Sequence, residues 1–172
     1  MTDPGEPAGT AKMAGVEGIV RFDSRARFQQ ALRALLERAH ATLDLFDPDF
    51  AMFELGSSAT DALLRRFLHG GGVLRLALHS TAHLERHAPR FLRLLRDYDH
   101  LSACRQTPPD LRQLTDSFAI ADNLHVVRRF HAAHPRGVLA FDAPGETDLP
   151  RTRFAAIWEA SRPALPPTVT GL

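Results

Sequence analysis

The sequence predicts an α/β protein, a mixed and mainly parallel sheet flanked by helices on both faces. Three observations point there. Between Arg25 and Asp97, segments with helical apolar spacing alternate with short apolar runs, the pattern that builds parallel sheets. From Thr115 to Asp142 (TDSFAIADNLHVVRRFHAAHPRGVLAFD) three apolar runs follow each other with tight connections, which adds an antiparallel portion. Finally, 172 residues with 44% hydrophobic and 24% charged side chains suit one domain with a real core.

Residues 1–17 are rich in Gly, Pro and Ala and are expected to be a disordered tail. Residues 18–162 form the domain, opened by a short edge strand at Gly18–Phe22. Ser24 suits the cap of a helix over Arg25–His40, in which Phe28, Ala31, Leu32, Leu35, Leu36 and Ala39 make one apolar stripe. Thr42–Asp47 reads as a strand that Pro48 stops, since proline has no amide for a ladder. A loop at 49–57 exposes or folds back Phe50, Met52 and Phe53. A helix follows over Ser58–His69, and Gly70-Gly71-Gly72 ends it.

Val73–Leu78 is a buried strand, and Ser80–Asp97 a helix broken or kinked at Pro89. Leu101–Arg105 is a strand and Thr107–Leu114 a loop. The three closing strands end on Asp122, on Arg128-Arg129 and near Asp142. Pro150 then starts a last helix over Arg151–Ala160, with Phe154, Ile157 and Trp158 on one face. An extended proline-rich tail, 163–172, closes the chain.

Composition narrows function mainly by exclusion. The formal net charge is +1, so no excess charge advertises a nucleic-acid or membrane partner. The chain has 20 arginines and one lysine, Lys12 in the N-terminal tail, which excludes chemistry needing a lysine in the folded body. Arginine pairs such as Arg65-Arg66 lack interleaved aromatics and read as solvated faces, so no nucleic-acid partner is expected. The lone Cys104, in an apolar run, permits no internal disulfide and no cysteine-based zinc site. No apolar run spans a membrane and no signal peptide is evident, so a cytoplasmic location is expected.

The order of elements leading to TLDLFDPDF, GGGVLRLALH, LSACRQT and SFAIADNLHVVRRF resembles one half of a phospholipase D superfamily enzyme, over roughly Arg25–Asp142. Such enzymes carry H-x-K-x-x-x-x-D. With Asp122 as the aspartate, the lysine position is Ser117 and the histidine position Thr115. The resemblance implies that this histidine would attack phosphorus and the lysine would stabilise phosphoryl oxygens, and this chain has neither. It therefore implies a degenerate, non-catalytic half that acts as a binding or regulatory module. The chain also looks like a family of bacterial domains with this fold, some found behind an acetyltransferase domain, so an acyltransferase partner is implied. Single halves pair in active enzymes, which implies a homodimer.

In α/β sheets ligands bind beyond the carboxyl ends of strands, and a ligand is expected near Asp47, Asp49, His79, Thr115, Ser117, Asp122 and Arg128. Arg128 and Arg129 offer guanidinium forks suited to phosphate or carboxylate, and alternation sends them to opposite faces. The commoner arrangement has one arginine paired with Asp122 and the other solvated. Asp47-Pro48-Asp49 also resembles the D-x-D of haloacid-dehalogenase-like phosphatases, in which the first aspartate attacks phosphorus with magnesium. A turn-capping D-P-D explains the same letters. A purely structural dimerisation domain is the third reading. His79, His83 and His87 recur at helical spacing, but the first and third would lie roughly 12 Å apart, so no metal or cofactor is expected.

Overall fold

Most helices begin where the chain supplies a cap or a proline. In this computed structural model, which describes residues 18–165, the Ser24 hydroxyl accepts from the Arg27 amide at 3.2 Å and opens α1 (Arg25–Arg38). Ser57 does the same for α2 (Ser58–His69), accepting from the Thr60 amide at 3.2 Å. Beyond α2 the chain turns through Gly71, whose φ of +91° suits glycine. Pro89 splits the next helical stretch into α3 (Ala82–His87) and α4 (Pro89–Asp97), because Ala88 before it sits outside the helical region at φ −127° and ψ 53°.

The strands are β1 (Gly18–Phe22), β2 (Thr42–Phe46), β3 (Val73–Leu78), β4 (Ser102–Gln106), β5 (Ser117–Ala121), β6 (His125–Arg129), β7 (Gly137–Phe141) and β8 (Arg162–Pro163). They form one 8-stranded sheet in the order β1-β7-β6-β5-β2-β3-β4-β8. The expected mainly parallel sheet is corrected here. Only β2–β3 and β3–β4 are parallel, whereas the other five neighbouring pairs are antiparallel. The reason lies in the connections. Helical crossovers join β2 to β3 and β3 to β4, but β4 returns to β5 through a loop with only a 3-10 turn at Pro109–Leu111. Strand β5 then lies antiparallel to β2, and two hairpins extend the sheet.

Helices cover both faces. One core joins Phe28 and Leu35 of α1, Leu64 of α2 and Phe91 of α4 to Leu43, Leu45, Leu76, Val127 and Leu139. The other joins Phe154, Ile157 and Trp158 to Phe46, Phe118, Ile120 and Val126. The loop after β2 folds back, burying Phe50 and Phe53 as an edge-to-face pair 4.8 Å apart. Cys104 is buried too, which pushes its thiol up to about 12.

The last helix differs from expectation. Helix α5 runs Pro144–Ala160 and carries Pro150 inside it. Pro144 already takes the first turn, and the buried Thr147 hydroxyl ties that turn to the Asn123 carbonyl at 3.1 Å. The predicted disordered segment 1–17 lies outside the described residues, as do residues 166–172 of the predicted extended tail. Pro163, where that tail was to begin, pairs with Arg105 of β4.

Candidate functional site

At one rim of the sheet, register lines up three polar residues. Phe46 faces Phe118 across β2 and β5, and Ser117 faces Arg129 across β5 and β6, which sets Asp47, Ser117 and Arg129 in one row. The Arg129 Nη2 donates to Asp47 Oδ2 at 2.6 Å, and Nε donates to Ser117 Oγ at 3.1 Å. Its Nη1 serves the Ala132 carbonyl, the His134 carbonyl at 3.4 Å and Met52 Sδ at 2.8 Å. The guanidinium also stacks 4.9 Å from the centre of the Phe28 ring. Both charged side chains are almost completely enclosed, at 1% and 2% exposure.

The second oxygen of Asp47 is equally engaged. Oδ1 accepts the Asp49 amide at 3.0 Å and the Phe50 amide at 2.7 Å, the latter from a residue with φ of 61°. Asp47 therefore caps the D-P-D turn and holds a bulky side chain in the left-handed region. Burial pushes its carboxyl above the ordinary range, while Ser117, the Arg129 guanidinium and the two amides pull against that rise. Asp49 uses Oδ1 on the Ala51 amide at 2.9 Å.

His79 is buried at the end of β3 with both ring nitrogens spent. Nε2 lies 2.8 Å from the Leu114 carbonyl and so carries the proton, which leaves Nδ1 to accept from the Thr107 hydroxyl. Thr115 is exposed, and its carbonyl accepts the Ala132 amide at 2.8 Å. Thus Asp47, Asp49, His79, Thr115 and Ser117 gather at one rim of the sheet.

Asp122 does not join them. Because β5 is antiparallel to β2, its carboxyl end lies at the start of β2, at the opposite rim. There the Asp122 carboxylate accepts the amides of His40 at 3.0 Å, Ala41 at 2.7 Å and Thr42 at 3.0 Å, clamping the link from α1 into β2. Neither arginine of the RR pair meets it. His125 lies near this rim, with Nδ1 accepting the Asp142 amide at 3.0 Å, and burial lowers its pKa.

Arg128 points to the opposite face from Arg129, as alternation requires. Its side chain makes no hydrogen bond or ion pair among the described residues and stacks 5.1 Å from the Phe130 ring. It lines a cleft of about 270 Å³ between β5, β6 and the first turns of α5, where Phe118, Glu146, Leu149 and Arg153 also stand. Arg153 is neutralised by Asp116 at 3.0 Å. Sequence reasoning missed Phe130, Glu146 and Arg153 as cleft residues, and the Asp47–Arg129 pair. The alternation of Arg128 and Arg129 was the one available signal. Among the described residues no group of three or more His, Cys, Asp or Glu side chains is placed to hold a metal ion, and no helix is long and apolar enough to cross a membrane.

The antiparallel–parallel sheet covered by α5 on one face and the other helices on the second is a fold similar to that of solved phospholipase D family members. Nuc from Salmonella typhimurium, a phospholipase D family member, superposes with a TM-score of 0.64 at 12% identity, over 86% of this chain and 97% of Nuc. NucT from Helicobacter pylori gives 0.59 at 11% identity, over 86% and 99%. TrmBL2, an archaeal chromatin protein that binds DNA, gives 0.66 at 15% identity over 88% of this chain, which spans 56% of TrmBL2. The chain belongs to the family described as Domain of unknown function (DUF7931), whose profile matches residues 24–166. No curated protein matches it in sequence.

Proposed function

We propose that the chain is a non-catalytic, phospholipase D-like binding module that holds an anionic group through Arg128. The observation that carries this reading is the saturation of the Asp47–Ser117–Arg129 row. Both Asp47 oxygens, the Ser117 hydroxyl and both nitrogens of His79 are spent on partners inside the fold. A nucleophile needs a free lone pair within reach of phosphorus, and a phosphoryl clamp needs an uncommitted charge. Arg128 has such a charge beside a cleft, and its fork suits phosphate or carboxylate.

The same saturation favours binding over the magnesium phosphohydrolase reading, in which Asp47 would attack phosphorus. Homodimerisation and an acyltransferase partner belong to the proposal as the regulatory context in which such a module would act. Calorimetric titration with inorganic pyrophosphate tests the binding claim. Wild type is expected to bind, Arg128→Ala to lose at least about tenfold in affinity (about 1.4 kcal/mol), and Asp122→Ala to bind as wild type. Pyrophosphate binding unchanged by Arg128→Ala contradicts the assignment.

A further inference from the structure

Phe130 is 46% exposed and borders two clefts. One is the Arg128 cleft already described. The other, about 620 Å³ and shallow, is lined by Arg21, Arg27 and Arg136 with Asp23 as the only acid. Arg21 and Arg128 both flank Val138 of β7 through direct register partners, so they share the α5 face of the sheet two strands apart. None of Arg21, Arg27, Arg128 and Arg136 forms an ion pair or side-chain hydrogen bond among the described residues. The fold thus gathers four uncommitted guanidinium groups around a protruding aromatic ring, from four separate places in the chain. One ring face meets the Arg128 guanidinium.

We infer that this face binds a single-stranded nucleic-acid segment, with a base stacked on Phe130 and backbone phosphates on Arg21, Arg27, Arg128 and Arg136. A polyanion explains four unpaired cations on a chain whose overall charge is only +1. A base explains the exposed ring, which a plain anion would leave in water. An aromatic platform beside a cationic groove is the arrangement that holds single strands without reading sequence. Linear sequence hides it because Arg21, Arg27, Arg128 and Arg136 stand in separate stretches that only the fold brings to Phe130. A duplex fits less well, since stacking needs an unpaired base face.

The inference shares Arg128 with the binding-module reading and rests on it for that residue alone. Fluorescence anisotropy with a labelled oligothymidylate of about 15 nucleotides tests it, with unlabelled polyphosphate as competitor. Phe130→Ala is expected to weaken binding about 5- to 150-fold, and Phe130→Tyr to retain it. The double change Arg21→Gln/Arg136→Gln is expected to lower the slope of log K against log salt by about 1.4, measured between about 50 and 200 mM salt.

Absence of binding at the lower salt, Phe130→Ala binding as tightly as wild type, or polyphosphate competing as well as unlabelled oligothymidylate would each overturn it. The last outcome would mark a base-blind anion face. Pyrophosphate bound in the parallel titration while the oligonucleotide is not would refute this inference and leave the binding module standing.

Discussion

Arg129 shows how one side chain fixes the chemistry of a rim. Its guanidinium satisfies Asp47, Ser117 and two loop carbonyls at once, so its charge is consumed by the fold and none is left for a ligand. A buried ion pair contributes little over a well-packed apolar pair, but removing one partner strands the other in a dry site. Arg129→Met is therefore expected to cost about 3–5 kcal/mol in urea unfolding, with the loop at Met52 loosened. A loss under about 0.5 kcal/mol would mean that water reaches Asp47. Sequence made half of this visible. Alternation separates Arg128 from Arg129, but the partner of Arg129 depends on register across three strands, to which no local pattern points. The expected pairing with Asp122 failed for that reason.

Elements were legible where local chemistry decides them. Helix α2, strand β3 and the break at Pro89 all follow from a cap, a glycine or a proline. Helix α5 was not, because Pro144 and Pro150 are both suited to a first turn and only packing of Thr147 against Asn123 selects the earlier one. The turn joining β5 to β6 carries a further role. Asp122 and Asn123 both take positive φ, at 55° and 58°, and that turn aims the Asp122 carboxylate at three successive amides entering β2. Asp122→Ala is expected to destabilise the fold by about 2–4 kcal/mol, since charge-assisted hydrogen bonds are worth about 1.5–3 each and water recovers part of the loss. Denaturant midpoints check it, and a change confined to ligand affinity would contradict a clamp.

At the scale of the molecule, apolar runs predicted an α/β sheet with helices on both faces, and the structure has one. Helix-joined runs gave the parallel pairs β2–β3 and β3–β4, and tight connections gave the antiparallel pairs β5–β6 and β6–β7, but the direction of β5 against β2 was not readable, because an apolar run of five residues looks alike whichever way it points. Direction came instead from the helix-free return between β4 and β5, and it moved Asp122 to the rim opposite Asp47. The site expected at one rim therefore splits. One part is a saturated polar row, another a structural clamp, and the part with a free charge is the Arg128 cleft on the α5 face. Similarity to Nuc and NucT shows a shared scaffold, on which function depends upon the residues at the site. The most direct measurement is release of p-nitrophenol from bis(p-nitrophenyl) phosphate by the purified chain, with and without magnesium. No rate above buffer is expected, for wild type and Asp47→Asn alike, whereas turnover that Asp47→Asn abolishes would contradict a saturated, non-catalytic rim.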